Sequence, residues 1–446
     1  MAMAVLIDRR RALDEKEQQE REKIEKKKVY TIKFHITSQI SPKHPALFTS
    51  APGLGSFSLS LLSSFRITAG AMMSFARGCS SISSPSFSSF VDSSSSSSPV
   101  SSRRTRGTRR LKGGVLVASF SNAKAKDDKE EESETKMVVS ITGATGFVGT
   151  KLVESLLKDG HEVRVLTRSI KQAKKKLKPE TLPKGTLLLI EPTKWPLGIK
   201  GSTHVVNLAG EPISTRWDEN VKKEIMNSRV KATEAVVSAI ANVKEESKRP
   251  KVLVTASAIG YYGTSDEETF DESSNSGKDY LSSVCRAWEK AAKKAEEMTN
   301  GETRVVFVRL GIVLDRDGGA LGKMLPTFQL FMGGPIGDGG QWFSWIHRKD
   351  AVKIIRESLV NEELKGAINA TAPFPVKMRD LTNSLGKELG RPSWMPVPDF
   401  ALQALLGEGS SLVLQGQKVL PKELLREGYR FEYETITDAL NEIVNE

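Results

Sequence analysis

Val138-Val139-Ser140-Ile141-Thr142-Gly143-Ala144-Thr145-Gly146-Phe147-Val148-Gly149 is the stretch on which the fold turns. Its first five residues form a short, largely β-branched run. From Phe147 onward the apolar residues Phe147, Val148, Leu152, Leu156 and Leu157 recur at helical spacing. Gly143, Gly146 and Gly149 lie between the two. Glycines there permit a tight turn and let bare backbone and a helix N-terminus approach a pyrophosphate. A Gly-x-x-Gly-x-x-Gly spacing means little alone, and its position between strand and helix is what gives it weight. The competing reading is a glycine-rich helix start packed on a sheet.

Residues 161–167 are strand-like again and complete a βαβ unit. Further β-rich runs follow at 186–191, 204–209, 251–256 and 304–310, with helical patterns at 218–243 and 278–298 between them. This alternation predicts an α/β fold: a Rossmann doubly wound parallel sheet covered on both faces, with ligands at the strand C-termini. Beyond Leu310, Gly318-Gly319, Gly333-Gly334-Pro335 and the glycines of 337–340 break the rhythm, so substrate-side loops and a small C-terminal substrate lobe are expected. The boundaries read as a leader over 1–118, a charged linker over 119–136, the nucleotide-binding domain over 137–375 and the terminal lobe over 376–446.

The leader has its own composition. Between residues 66 and 126 Asp92 is the only acid, serine dominates, and Arg103, Arg104, Arg106, Arg109 and Arg110 supply charge. This is the make-up of an organelle transit peptide, and its serine richness points to a plastid rather than a mitochondrion. The mixed-charge residues 14–28 do not fit that pattern. Met72-Met73 makes a better start, the residues before it reading as an upstream extension, and 115–118 a cleavage region. A disordered tail is the alternative.

The formal net charge of +12 would suggest nucleic acid or an anionic membrane as a partner. Most of that excess lies in the first 136 residues, so no nucleic-acid binding is expected. Cys79 and Cys285 are the only cysteines, which excludes a disulfide framework and leaves Cys285 as a small buried apolar residue. No apolar run is long enough to cross a bilayer, so membrane association would be peripheral or partner-mediated. No metal site is expected.

The second strand decides the ligand. A site for NAD would end it in Asp or Glu, to accept from the ribose 2′-OH, but here it ends Val165-Leu166-Thr167-Arg168. A guanidinium suits a 2′-phosphate, so NADP is the expected cofactor. The lysines at 171 and 174–176 add charge or simply line a solvated helix face.

The turn 142–149, with Val206-Asn207-Leu208-Ala209-Gly210-Glu211 after it, resembles the extended short-chain dehydrogenase/reductase superfamily. Arg216-Trp217, Asn227-Ser228-Arg229-Val230, the segment 319–337 and Gln341-Trp342-Phe343-Ser344-Trp345-Ile346-His347 narrow it to the "epimerase family" of NADP-binding proteins, historically labelled SulA-like. Pro396-Val397-Pro398, Leu406-Gly407-Glu408, residues 416–421 and 428–431 resemble that family's small terminal domain. The match spans 137–446. It implies that Thr145, Gly146, Phe147 and Val148 of the turn hold the cofactor with its glycines, and that Thr167 and Arg168 bind the 2′-phosphate. It also implies that Glu211 and Arg216 flank the cofactor and that Ile312 lies near the nicotinamide. The duller readings are a loop ion pair for Glu211 and Arg216 and a core position for Ile312. With its leader the chain resembles a plastid branch associated with chloroplast division at the stromal side of the inner envelope, which implies a division-apparatus partner beside a small-molecule substrate.

The superfamily's usual Tyr-x-x-x-Lys pair, in which the lysine and the cofactor lower the tyrosine pKa, is missing. No tyrosine of this region is followed four residues on by lysine, and Leu281 and Cys285 take the two places. Ser257 stands at a strand end like the superfamily's substrate-binding Ser/Thr, or is merely packed there. Tyr262 and His347 are the other candidate catalytic groups; a lone histidine between aromatics is more often a satisfied structural residue. Two functions follow: a plastid NADP(H)-dependent oxidoreductase or epimerase with an atypical proton donor, or a catalytically silent NADP-binding regulatory or scaffold protein.

Overall fold

The computed structural model describes residues 136–183 and 185–445. The transit peptide, the upstream extension and nearly all of the charged linker lie outside them.

The chain runs β1 (Val138–Thr142), α1 (Phe147–Lys158), β2 (Glu162–Leu166), α2 (Ile170–Leu177), β3 (Thr186–Ile190), α3 (Trp195–Ile199), β4 (His204–Asn207), α4 (Glu219–Ala241), β5 (Val252–Ala258), α5 (Tyr280–Met298) and β6 (Arg304–Leu310). It continues through α6 (Leu321–Gln329), α7 (Arg348–Val360), β7 (Gly366–Ala370), α8 (Met378–Leu389), α9 (Asp399–Leu406) and α10 (Ile436–Asn445), with short strands and helical turns between. β1 to β7 form one parallel sheet in the order β7-β6-β5-β4-β1-β2-β3. The chain therefore works outward from β1 in one direction and then restarts at β4 in the other. That reversal opens a crevice at the C-terminal ends of β1 and β4, where α/β sheets of this kind take their ligands.

Both faces of the sheet are covered, which is why its central strands are apolar runs rather than alternating ones. Val139 and Ile141 of β1 pack with Leu152 and Leu156 of α1 and Ile354 and Ile355 of α7 on one side. On the other, Val205 and Leu253 meet Val236 and Ile240 of α4 and Ala292 and Ala295 of α5. The two long helices start where their caps dictate. Asp218 accepts from the N–H groups of Asn220 and Val221, and Asp279 from that of Ser282, satisfying donors that the first turn leaves open.

Helix α7 and strand β7 fall inside the expected nucleotide-binding domain, 137–375, though no helix or strand pattern marked either of them. The strand Ile312–Asp315 leaves the end of β6 and pairs with Trp345–His347. The chain then re-enters the sheet through α7 and β7. The second core is drawn from both excursions: Leu314, Leu325, Phe328 and Trp345 from the first, Leu381, Leu385, Leu440 and Ile443 from the second. Among the described residues no helix is long and apolar enough to cross a membrane.

Candidate functional site

At the crevice, two glycines of the turn have no substitute. Gly143 has φ +68°, and a Cβ on it would stand 2.4 Å from the Leu208 carbonyl oxygen. One on Gly149 would stand 2.3 Å from the Gly143 carbonyl oxygen. The backbone is thus folded onto itself and onto the end of β4 more closely than any side chain allows. Gly146 donates its N–H to Gly143 O at 2.9 Å and begins α1 in extended geometry, with no side-chain cap on the helix. Thr145 is half-buried and Gly146 exposed, so the open first turn of α1 faces outward. Val148 packs on the first core. The Phe147 ring fills the space over Gly318 and Gly319 and carries the Arg348 guanidinium 4.6 Å from its centre. Arg348 is itself paired in the interior with Asp315. The turn is thereby braced against the second lobe.

One strand over, Thr167 exchanges hydrogen bonds with the Ser169 backbone and Ser169 caps α2. Arg168 is held out into solvent, 82% exposed, and pairs with Glu211 at 3.0 Å. Glu211 is placed by its own N–H, which donates to Ser228 Oγ at 3.1 Å. The structure therefore brings Arg168 and Glu211 together as neighbours across the ends of β2 and β4. Arg216 lies further along the same loop and points elsewhere. Its Nη1 donates to the Ala404 carbonyl of α9, while the Trp217 N–H donates to Leu406 O and Lys222 pairs with Glu408. Lys323 of α6 reaches the same loop at Ser214 Oγ, 2.6 Å away. Residues 211–217 thus strap the crevice to the terminal lobe. Ile312 is half-buried at the edge of the second core, its N–H donating to Ser344 O at 2.9 Å.

The places of the absent Tyr-x-x-x-Lys pair lie on the first turns of α5. Leu281 packs toward Gly260, and the buried Cys285 thiol points at the Ala258 carbonyl, 3.6 Å away. Burial pushes that thiol up to about 11, so it holds its proton at neutral pH. Ser257 and Tyr262 belong to one buried chain of polar groups. Ser257 Oγ donates to Glu289 Oε1 at 2.7 Å, Glu289 takes both arms of Arg309 at 2.8 Å each, Arg309 Nη1 donates to Tyr262 Oη at 3.0 Å, and Tyr262 Oη donates to Asn369 Oδ1 at 2.7 Å. Burial drives the Tyr262 phenol up to about 12 against the pull of Arg309. Glu289 in turn holds Arg309 firmly protonated although burial opposes it. His347 stands in a different cluster. Its Nδ1 accepts from the Lys349 N–H at the start of α7, its Nε2 meets Glu442 of α10 at 2.9 Å, and Tyr433 packs on the ring. Burial lowers its pKa while Glu442 works the other way. All three candidate catalytic groups thus have protein partners, and His347 does not join the other two.

Glu289, Arg309 and Asn369 escaped sequence reasoning. The signals were faint but real. Glu289 falls on the buried stripe Ser282, Cys285, Ala292 of an amphipathic helix, and Arg309 interrupts the apolar strand Val305-Val306-Phe307-Val308. A charge in such a setting calls for a buried partner. Among the described residues no group of three or more His, Cys, Asp or Glu is placed to hold a metal ion.

Comparison with known proteins agrees with this geometry. Residues 139–370 match the NAD dependent epimerase/dehydratase family, and residues 397–443 match a domain of unknown function, DUF1731. The chain is 52% identical over 313 residues to the Arabidopsis thaliana epimerase family protein SDR39U1 homolog, chloroplastic, covering 70% of this chain and 88% of that one. It is 38% identical to the epimerase family protein YfhF of Bacillus subtilis, covering 69% and 98%. The crystal structure of human epimerase family protein SDR39U1 (isoform2) with NADPH superposes with a TM-score of 0.62 at 34% identity, over 69% of this chain and 99% of the human one. The chain therefore belongs to the NAD dependent epimerase/dehydratase family.

Proposed function

We propose that this protein binds NADP(H) in the crevice at the ends of β1, β2 and β4, and that it is an oxidoreductase or epimerase-like protein working without a Tyr-x-x-x-Lys pair. Arg168 carries the cofactor choice: a solvent-facing cation stands where a NAD site would place an acid. The residues fit the group. Gly143 and Gly149 clear a cradle that a single Cβ would fill, and the uncapped start of α1 offers N–H donors to a pyrophosphate. Thr167 and Arg168 would take the 2′-phosphate, with Glu211 beside them and Ile312 toward the nicotinamide, while Arg216 would act from the edge of the site through the loop it ties to α9. When bound, the nicotinamide supplies reversible hydride transfer.

What this chain adds on the substrate side is restraint. Leu281 has no proton to move, and the Cys285 thiol is turned to Ala258 O. Ser257 and Tyr262 hold Glu289, Arg309 and Asn369 in register rather than facing an empty cleft. That same observation supports a second reading, an NADP-binding regulatory or scaffold protein acting through partners.

Titration of the purified protein with NADPH and NADH, repeated with Arg168→Ala, tests the cofactor assignment. The variant should lose roughly tenfold to a hundredfold in NADPH affinity, the worth of charge-assisted hydrogen bonds, and little for NADH. Equal losses for both would refute the 2′-phosphate role. NADPH oxidation against a panel of carbonyl compounds then separates the two functions. Turnover supports the enzyme, and tight binding with no turnover across the panel supports the scaffold.

A chloroplast location is supported by the serine-rich leader and by the Arabidopsis relative's designation as chloroplastic. Residence in the stroma or on the stromal side of the inner envelope, and a role in chloroplast division with a partner from that apparatus, rest on the sequence resemblance. Import into isolated chloroplasts followed by fractionation, with plastid size measured in a plant lacking the protein, tests both.

A further inference from the structure

The mechanism leaves one cation unaccounted for. Arg229 lies on α4, behind the loop that leaves β4. A Cβ on Gly210 would stand 3.0 Å from its Cζ and 3.2 Å from its Nη2. Its guanidinium sits 5.2 Å from the centre of the Trp288 ring on α5, one turn beyond Cys285. Among the described residues its only hydrogen bond is Nη1 to Ile225 O at 3.0 Å, one turn back on its own helix, and it makes no ion pair. Burial depresses its pKa, against the weaker opposite pull of Cys285, Tyr280 and Glu211. The Trp288 indole is also buried, 6% exposed, and its Nε1–H has no acceptor. A half-buried guanidinium with one backbone acceptor thus lies on an indole whose buried N–H has none, and a buried N–H without an acceptor is unfavourable unless something else supplies one.

Their position is informative. Cys285 occupies the superfamily's lysine place on α5, and Arg229 reaches from α4 to Trp288, one turn further along α5. A cation therefore stands about one helical turn from the place where the superfamily carries its lysine. We propose that Arg229, with the Trp288 N–H beside it, is an oxyanion-holding residue of the crevice, gripping either a phosphate on the nicotinamide side of the cofactor or a carboxylate or phosphate of the substrate. A guanidinium suits both, because its planar fork matches two oxygens of either group. This rests on the NADP(H) reading above. It makes Arg229 a binding group and gives it no proton to transfer, since a guanidinium keeps its charge throughout.

The test uses Arg229→Met and Arg229→Gln in the full chain, with calorimetry as the readout. Wild-type binding of NADPH is established first, and its absence would overturn the cofactor reading before any variant is made. Binding of adenosine 2′,5′-bisphosphate, which has the Arg168 contact and lacks the nicotinamide half, reports whether each variant is folded. NADPH binding weakened about tenfold or more, with adenosine 2′,5′-bisphosphate unchanged, would place the oxyanion on the cofactor. NADPH unchanged, together with loss of the wild-type response to oxalate or inorganic phosphate added to NADPH-saturated protein, would place it on the substrate. Variants that bind adenosine 2′,5′-bisphosphate, NADPH and both anions like wild type would overturn the proposal. Should either neutral variant fail to bind adenosine 2′,5′-bisphosphate, Arg229→Lys decides, since a retained charge must restore both folding and the oxyanion response. A folded lysine variant indifferent to NADPH's nicotinamide half and to the anions would equally overturn it.

Discussion

Replacing Glu289 with glutamine removes one charge from the middle of the buried polar chain and leaves the side-chain volume unchanged. Arg309 and Glu289 are nearly sealed from solvent, with side-chain exposures of 5% and 11%, and they meet through two parallel hydrogen bonds. Breaking such a pair strands the guanidinium in the interior, at a cost of about 3–5 kcal/mol. Roughly 310 described residues imply an unfolding entropy of about 0.65 kcal/mol/K, so Tm should fall by about 5–8 °C. Ser257→Ala removes one acceptor contact of the same carboxylate, and about 1 kcal/mol, or one to two degrees, should follow. The assay is calorimetric unfolding of the three proteins beside an NADPH titration, which the stability reading expects to change no more than about twofold. The reasoning fails if Glu289→Gln melts within about 2 °C of wild type while its ligand binding collapses, because the carboxylate would then be serving a ligand rather than Arg309.

Gly149→Ala puts a methyl group 2.3 Å from Gly143 O and 2.8 Å from Ala144 Cα, so the turn must open; NADPH titration should show at least about tenfold weaker binding and melting a few degrees of destabilisation. The pH dependence of stability should carry the mark of His204. Burial first, and the Arg304 charge second, lower its pKa to about 4 from an ordinary 6.5. The unfolded chain therefore takes up a proton that the folded chain refuses. Stability is full above about pH 6.5, falls as pH drops toward 4, and levels below it, by on the order of 2–3 kcal/mol. Urea unfolding of His204→Gln across that range should show the acid-side loss reduced by this amount, and identical profiles would show that the imidazole is not the source.

The nucleotide-binding half was legible because its signals are local. A β-branched run, a glycine turn and a helix repeat lie within twenty residues, and Arg168 declares itself by ending a strand. The same local reading blurred the helix ends, since Asp218 and Asp279 mark the caps while the patterns were drawn through or past them. β7 was missed because Gly366-Ala367-Ile368-Asn369-Ala370 has little β propensity of its own and is a strand only because β6 offers it an edge. Ser257, Tyr262 and His347 were candidates by residue type, and only the fold shows what each one touches. Arg216 finds α9 at Ala404, 188 residues away. Arg229 could be quoted as part of a motif, but that its one hydrogen bond among the described residues goes back to its own helix is a property of its surroundings and has no spelling in sequence.

The second lobe has no seam. Its apolar interior is assembled from residues on both sides of the return through α7 and β7, while β7 is the outermost strand of the sheet on that side. A nascent chain cannot finish the sheet before about residue 370 is available, nor close the lobe before α10 arrives. Most of the stabilising pairings are distant in sequence, which favours slow, late and collective folding. Protease nicking or truncation within α10 should therefore loosen the crevice as well as the tail, because Phe147 leans on the strand and arginine that this final helix helps to clamp in place.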